Sequence, residues 1–574
     1  MTVRFVLRAL CTLGAVGLIG YGMLQPLEAD VRWLICLWAA APLIGLAAWL
    51  SLPAAPRNVS RNIANVGLSI LVGFGLLSLQ LLRQQVVLAG AIYAHVVVNA
   101  DGSTSSNVRP VLDSQRILRG RMFDRKGEVL VDSEAVDGFG RRTYPLADRY
   151  DPTAFSNVVG FFSTRYGQSS LEATYAEYLT GQWGNEWERL RERFVGGTPR
   201  GNDLTLTLNA ELQAQAAAAL GGRTGSVVVL DPRSGAILAL VSQPGFDPRQ
   251  LSFDPGTSDW EAENLRVGQY WGELMTTSAG QPLLNRPTQG LYPPGSVFKT
   301  VTAIGVLEHP EVGQPNTITC PEMFKPEADA PPVVNAVSNL SRLTGEPASL
   351  ERVYAYSCNT AFAQYAIRLK PELLSETASR FDILPPQPQR SSSYSAFTDL
   401  PTAQSLSSVE ADFLSYPRAL ADTGYGQGQL LVTPLQMALV AAAVANNGVM
   451  MQPYLVQKVT RPDGGVILDH APRAIRTTMS PETARIMRAN MGAVAQYGFG
   501  KSVDDYTPPG ILVGGKSGTA EHVPGQPPHA WFIAVAPLDD PHYAVAVMLE
   551  RGGEGSHAGA DLAGQVLAAA FATE

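Results

Sequence analysis

Three apolar stretches open the chain, Phe5 to Leu24, Trp33 to Leu52 and Ile63 to Leu82. Each has about the 20 residues that a helix needs to cross a bilayer. Isolated charges near their ends, such as Arg8, are tolerable because arginine can reach back to the interface. Three spans in succession argue against a cleaved leader. Val86 to Val98 is apolar too, but it is short and contains His95. It reads as a buried element or an extension of the third span. Beyond it the pattern breaks into shorter segments. Ile117 to Ser133 predicts a turn at Asp124 to Gly127 and then a strand. Asp203 to Leu220 predicts a strand followed by an amphipathic helix capped by Asn209. Gly225 to Pro248 predicts an apolar hairpin turning at Asp231 to Gly235, and Val297 to Leu307 predicts a helix entered through Pro293, Pro294 and Gly295. Glu311 to Leu350, rich in Pro, Ala and Asn, predicts no regular structure. Leu435 to Ala445 is almost entirely apolar, which predicts a buried helix starting near Thr433 and Pro434. Val513 to Glu521, HAWFIAVAP and HYAVAVMLE predict a three-strand meander, with a turn at Asp539 to Pro541. Ser556 to Ala572 predicts a closing helix packed on that sheet. The class is α+β: N-terminal transmembrane helices, a small middle domain, and a domain with a central antiparallel sheet of about five strands flanked by helices.

A chain of 574 residues implies two or three domains. Lys plus Arg number 43 against 51 Asp plus Glu, a net charge of -8. With no basic patch interleaved with aromatics, nothing favours nucleic acid. Of four cysteines, Cys11 and Cys36 lie in apolar stretches, and Cys320 and Cys358 are far apart in sequence. That spread argues against a disulfide framework, and Cys358 reads as packing. No metal-ligand spacing appears, so neither metal nor cofactor is expected. Loop charge sets the orientation of the spans. Arg4 and Arg8 flank the first, Arg57 and Arg61 lie between the second and third, and the loop with Glu28, Asp30 and Arg32 has no basic excess. The N-terminus is then cytoplasmic and the chain emerges outside after the third span, with Arg83 a mild contrary signal.

The candidate chemistry centres on GLYPPGSVFKT, Gly290 to Thr300. Ser296 and Lys299 stand three residues apart, close to one helical turn, and so share a face. A serine hydroxyl becomes a nucleophile when a neighbour takes its proton. A lysine can do so once burial or nearby positive charge lowers its pKa. Alone, SxxK reads equally as a helix cap and a surface lysine. Two further stretches change that: YSCNTAF, with Ser357 and Asn359, and GGKSGTAE, with Lys516, Ser517, Gly518 and Thr519. The order SxxK, SxN, K(S/T)G is that of the serine penicillin-recognising enzymes. The chain resembles the class B penicillin-binding proteins, which are peptidoglycan DD-transpeptidases.

The resemblance runs from about residue 115 to 570. ILRGRMFDRKGEVLVDS, with Arg119, Gly120, Arg121, Asp124, Arg125 and Gly127, is similar to the start of the family's pedestal domain. Gly160 to Gly181 is similar to the pedestal segment ending in a GxE-type helix, with Glu172 and Leu179 in place and Ser170 where the family has glycine. The implied domains are three transmembrane helices over 1–83, a pedestal over 84–200 and the transpeptidase over 201–574. Class B members commonly have one anchor, so three spans depart from the pattern. Gly426 and Gly428 fit a family motif that shapes the rim of the cleft. Serine at 517 is a family variant of threonine.

The resemblance implies Ser296 as nucleophile, Lys299 as its base, Ser357 as proton relay, and Asn359 as the group holding that lysine and the substrate backbone. Lys516, Ser517 and Thr519 would hold the carboxylate of D-alanyl-D-alanine, and Gly518 would permit close approach of substrate along the strand. The oxyanion hole would be the N–H groups of Ser296 and Thr519. Expected partners are peptidoglycan stem peptides on lipid-linked nascent glycan, beta-lactams as mimics, and a SEDS-type membrane glycosyltransferase. The expected place is the bacterial cytoplasmic membrane, multi-pass, with the catalytic domain on the extracytoplasmic side. The rivals are a D-Ala-D-Ala carboxypeptidase, a beta-lactamase, and a beta-lactam-binding sensor or scaffold. No ExxLN-type motif for a deacylation water lies between Asn359 and Lys516. The cytoplasmic loops are too short for a signalling domain.

Overall fold

The structure, a computed structural model, describes residues 2–26, 29–51, 58–88, 96–98, 104–106, 115–183, 199–313, 317–386, 397 and 399–574. Glu28, Arg57 and His95, used above, lie outside the described residues. The chain divides into two compact units, Met1–Ser114 and Gln115–Glu574.

The first unit holds helices α1 (Thr2–Met23), α2 (Asp30–Ser51) and α3 (Asn58–Leu82). All three are long and apolar enough to cross a membrane. A short π-helical turn, Arg83–Val87, continues α3, so the start of the Val86 stretch does extend the third span. Val96–Val98 instead pairs antiparallel with Thr104–Ser106. The contrary signal from Arg83 has a local explanation. Its guanidinium is fully buried, forms an ion pair with Asp30 and lies 5.1 Å from the Trp33 ring. The positive charge is thus neutralised inside the bundle.

In the second unit the elements used below run in chain order. Strands β1 (Met122–Phe123), β2 (Val129–Val136), β3 (Phe139–Thr143) and β4 (Asp203–Leu206) precede helix α4 (Ala210–Leu220). The hairpin β5 (Gly225–Leu230) and β6 (Ile237–Gln243) leads to α5 (Lys299–Glu308), α6 (Leu350–Ala355), α7 (Asn359–Ser379) and α8 (Pro434–Ala445). Then come β7 (Val456–Thr460), β8 (Val466–Asp469), β9 (Gly514–Ala520), β10 (His529–Ala536), β11 (Tyr543–Leu549) and α9 (Ala560–Ala572).

The expected central sheet is present, five antiparallel strands in the order β6-β5-β11-β10-β9. Every residue of β5, β10 and β11 is buried, so both faces of the sheet are covered. α8 packs on β5, β10 and β11, α4 on β5 and β6, and α9 on β10 and β11. As its composition predicts, every residue of α8 is buried, with Thr433 as N-cap and Pro434 at the first helical position. Strand β9 forms an edge of the sheet.

A second sheet, in the order β8-β7-β4-β1-β2-β3, joins strands from either side of residue 201. The RGRxxDR segment is its lock. Asp124 Oδ1 accepts from the N–H groups of Lys126 and Glu128 at 2.8 Å, closing the predicted turn, and Arg121 Nη2 donates to Asp203 at 2.7 Å. Glu172 is fully buried and accepts from Arg119 Nε at 2.7 Å and Arg142 Nε at 2.6 Å. Burial pushes this carboxyl up, but the Arg142 and Arg119 guanidiniums outweigh it and hold it below the usual range. Ser170 has φ +50°, a left-handed backbone that glycine adopts more readily than serine.

Two expectations change. The Ser296 segment opens as a 3-10 turn, Gly295–Phe298, and the α-helix begins only at Lys299. The stretch from Glu311 to Leu350 carries regular pieces after all. Thr317–Ile318 pairs with Ala348–Ser349, and between them Met323–Phe324 pairs with Val333–Val334.

Candidate active site

Three glycines clamp the Ser296 turn. Gly295 has φ +57°, and its N–H donates to the carbonyl of Gly426 at 2.9 Å. A Cβ on Gly295 would lie 2.6 Å from the Thr519 carbonyl oxygen, and one on Gly426 only 1.8 Å from that of Gly295. Room beside Gly518 is taken by Pro294, Val297 and Trp531, at 2.9 to 3.0 Å from where a Cβ would stand. The close approach seen there is that of the Ser296 turn. Trp531 Nε1 donates to the Pro293 carbonyl at 3.1 Å and fixes the same turn to β10.

Lys299 is fully buried, and Nζ lies 2.7 Å from the Ser357 carbonyl, 3.0 Å from Ser357 Oγ and 2.7 Å from Asn359 Oδ1. Lys516, also fully buried, reaches the same Ser357 Oγ at 3.0 Å and the Ser517 carbonyl at 2.9 Å. Among the described residues no ion pair neutralises either amine. Burial pushes the Lys299 pKa well below its ordinary value, and the Lys516 charge lowers it further. Burial brings Lys516 down to about 7. A neutral amine has two N–H groups and one lone pair. Of the three oxygens around Lys299, only the Ser357 hydroxyl has a proton to give. A relay Lys299–Ser357–Lys516 follows.

Ser357 sits between α6 and α7, the loop expected for SxN, with φ +54°. Such backbone persists only where its surroundings over-determine it. Ser296, Ser357, Asn359, Ser517 and Thr519 line one cavity of about 910 Å³. Thr519 is exposed there, and Ser517 is 5% exposed. Among the described residues no hydrogen bond joins Ser296 Oγ to Lys299 Nζ, because the oxygens of the SxN turn surround the amine.

The reading of the cysteines is corrected. Cys320 and Cys358 form a disulfide across 38 residues of sequence, between the segment after α5 and the middle of the SxN turn. Distance in sequence hid a pair that the fold brings together. Sequence reasoning also missed Val334 and Asn335, which line the cavity from that segment. The available signal was that these are the two cysteines outside the apolar N-terminal stretches.

A five-stranded antiparallel sheet, with SxxK, SxN and K(S/T)G on one cavity at its edge, defines a penicillin-recognising serine acyltransferase. A family profile described as the penicillin binding protein transpeptidase domain matches residues 225–572. One described as the penicillin binding protein A dimerisation domain matches residues 119–204. The chain belongs to the penicillin-binding protein transpeptidase family. It is 33% identical over 487 residues to the peptidoglycan D,D-transpeptidase PbpA of Mycolicibacterium smegmatis, covering 82% of this chain and 91% of the relative. It is 28% identical over 420 residues to the peptidoglycan D,D-transpeptidase MrdA of Acinetobacter baumannii, covering 68% and 58%. Among solved structures, the ceftriaxone acyl-enzyme complex of penicillin-binding protein A from M. tuberculosis matches with a TM-score of 0.69 at 31% identity, over 80% of this chain and 100% of that one.

Proposed function

We propose that this chain is a membrane-anchored peptidoglycan D,D-transpeptidase with Ser296 as its nucleophile. One observation supports the reading above the rest: two buried amines meet on one hydroxyl, Ser357 Oγ, in the cavity that Ser296 lines. The neutral Lys299 takes the proton of Ser296, whose oxygen attacks the carbonyl between the two terminal D-alanines of a stem peptide. The new ester holds the donor peptide, and the proton passes through Ser357 to the leaving D-alanine amine. Lys516, Ser517 and Thr519 hold the D-alanine carboxylate, while Asn359 orients Lys299. The N–H groups of Ser296 and Thr519 polarise the attacked carbonyl. An amine of a second stem peptide then attacks the ester, forms the cross-link and frees Ser296. A beta-lactam acylates the same oxygen but keeps its leaving group tethered, so the ester persists.

In this reading residues 1–83 anchor the chain in the bacterial cytoplasmic membrane. Arg4 and Arg8 lie inside, so the chain after the third span lies on the extracytoplasmic side. Residues 84–200 form a pedestal and 201–574 the transpeptidase. The glycan strand comes from a SEDS-type glycosyltransferase beside the anchor.

The test is a fluorescent penicillin on the detergent-solubilised full chain, followed by mass spectrometry of the labelled peptide. A stable adduct on Ser296, lost in Ser296→Ala and Lys299→Ala, is expected. Rapid loss of label would replace the reading with a hydrolase. No label on folded protein would sink it.

A further inference from the structure

The segment between α5 and α6 holds the SxN turn from outside. Its ends are closed by the pairing of Thr317–Ile318 with Ala348–Ser349, and its inner hairpin lies over α7 and the helix Pro417–Gly424. There Phe324 packs on a small cluster of Val333, Ala363 and Ala421. Arg418, from that second helix, donates to the carbonyl of Pro331. This closed strap then grips three consecutive residues. Cys358 is joined to Cys320 by the disulfide. Asn359 Nδ2 donates to the Val334 carbonyl at 3.0 Å. Thr360 N–H donates to Asn335 Oδ1 at 3.2 Å, and its hydroxyl donates to the Pro321 carbonyl at 2.8 Å. Asn335 is itself tied down, since Nδ2 donates to the Pro321 carbonyl at 2.9 Å.

What those three residues control is the base. The Val334 carbonyl takes the amide N–H of Asn359, which leaves Oδ1 turned to Lys299 Nζ at 2.7 Å. The disulfide fixes the residue between Ser357 and Asn359, the two that surround Lys299 with oxygen. Ser357 also carries the left-handed φ of +54°, a conformation that relaxes unless its neighbours are held.

We propose that the strap of residues 317–349 is a positioning device for the reaction: the Cys320–Cys358 disulfide and Asn335 hold the SxN turn so that Ser357 and Asn359 fix the amine of Lys299, the proposed base for Ser296. Cys320, Cys358 and Asn335 are positioning residues, since each acts through the turn and none need touch the reacting atoms. The proposal rests on acylation of Ser296, and the experiment separates the two.

The solubilised full chain is mixed with a fluorescent penicillin in stopped flow. Saturation kinetics then give the dissociation constant of the initial complex and the first-order acylation constant separately. The variants are Cys320→Ser, Cys358→Ser, the double variant and Asn335→Ala. In each, the acylation constant is expected to fall about tenfold or more, the usual consequence of a misplaced reacting group, with the dissociation constant nearly unchanged. The two single cysteine variants and the double are expected to match one another, because one bond is lost in all three. Local disturbance at either site alone would not produce that match. Thermal melts identify folded variants. If the cysteine variants fail to fold, Asn335→Ala decides, since it leaves the disulfide in place. Wild-type acylation constants in folded variants would overturn the positioning role. A wild-type protein that takes label elsewhere than Ser296, or takes none, would overturn the transpeptidase reading instead.

Discussion

Replacing Lys516 by methionine tests the electrostatics of the site. Lys299 and Lys516 each place Nζ 3.0 Å from Ser357 Oγ. The two nitrogens are therefore no more than about 6 Å apart, where two unit charges at an effective dielectric near 20 repel by about 3 kcal/mol. Burial is the larger cause of the low Lys299 pKa and survives the substitution. The Lys516 charge is the second cause and is lost. Below about pH 7, Lys516 carries its proton in the wild type and resists a second charge on Lys299. In Lys516→Met that resistance is gone, and Lys299 accepts a proton at higher pH. The acid limb of acylation moves up in pH.

Lys516 is also proposed to bind the carboxylate of the ligand, so an overall loss of labelling proves nothing. The quantity to follow is the first-order acylation constant of a penicillin, separated from its dissociation constant by saturation kinetics from pH 5 to 9. The ratio of variant to wild type is expected to fall toward low pH, by no more than about a hundredfold, and to recover toward high pH. A ratio that does not change with pH would refute the coupling and leave Lys516 as a binding group alone. A limb displaced to lower pH would refute the general-base role of Lys299.

The same variant makes a second, opposite prediction for stability. Lys516 titrates near 10.5 when unfolded and at about 7 when folded. Its cost to the fold is complete below pH 7, shrinks between 7 and 10.5, and vanishes above. Lys516→Met should therefore melt higher than wild type at pH 6, by an amount that closes as the pH is raised toward 10. In the second sheet, Glu172→Ala leaves Arg119 and Arg142 buried without their shared carboxylate. It should cost about 3–5 kcal/mol in a urea melt, while the folded fraction still labels at the wild-type rate. Gly426→Ala puts a methyl 1.8 Å from the Gly295 carbonyl oxygen at a position with φ +90°. It should displace the nucleophile turn and slow acylation by about a hundredfold, read by the same labelling assay.

How far the sequence carried depended on whether the deciding interaction was local. The meander, the hairpin β5–β6, the caps at Asn209 and Thr433 and the buried α8 were all legible, because each is decided within a dozen residues by alternation, capping or uninterrupted apolar character. The candidate site residues were legible for a different reason. SxxK, SxN and K(S/T)G are short patterns whose chemistry tolerates few residue types. What was not legible was how these patterns are held in register. The 3-10 turn at Ser296 results from Gly295 meeting Gly426 and Thr519, contacts that span more than a hundred residues. The ion pair of Arg83 with Asp30 is another long-range contact, and loop charge counting sees both residues but not that they meet.

The strap shows the same limit at the site itself. Between Glu311 and Leu350 the composition offers neither period two nor period 3.6, so it reads as loop. Its order comes from elsewhere: one covalent bond to Cys358, one amide at Asn335 and one carbonyl at Val334, all spent on three residues beside Ser357. Burying an amine as strongly basic as lysine demands oxygens in fixed places, and a turn with a left-handed serine cannot supply them unaided. The segment that looks least structured in sequence is therefore the one on which the precision of Lys299 depends. Relaxing it should cost rate before it costs binding.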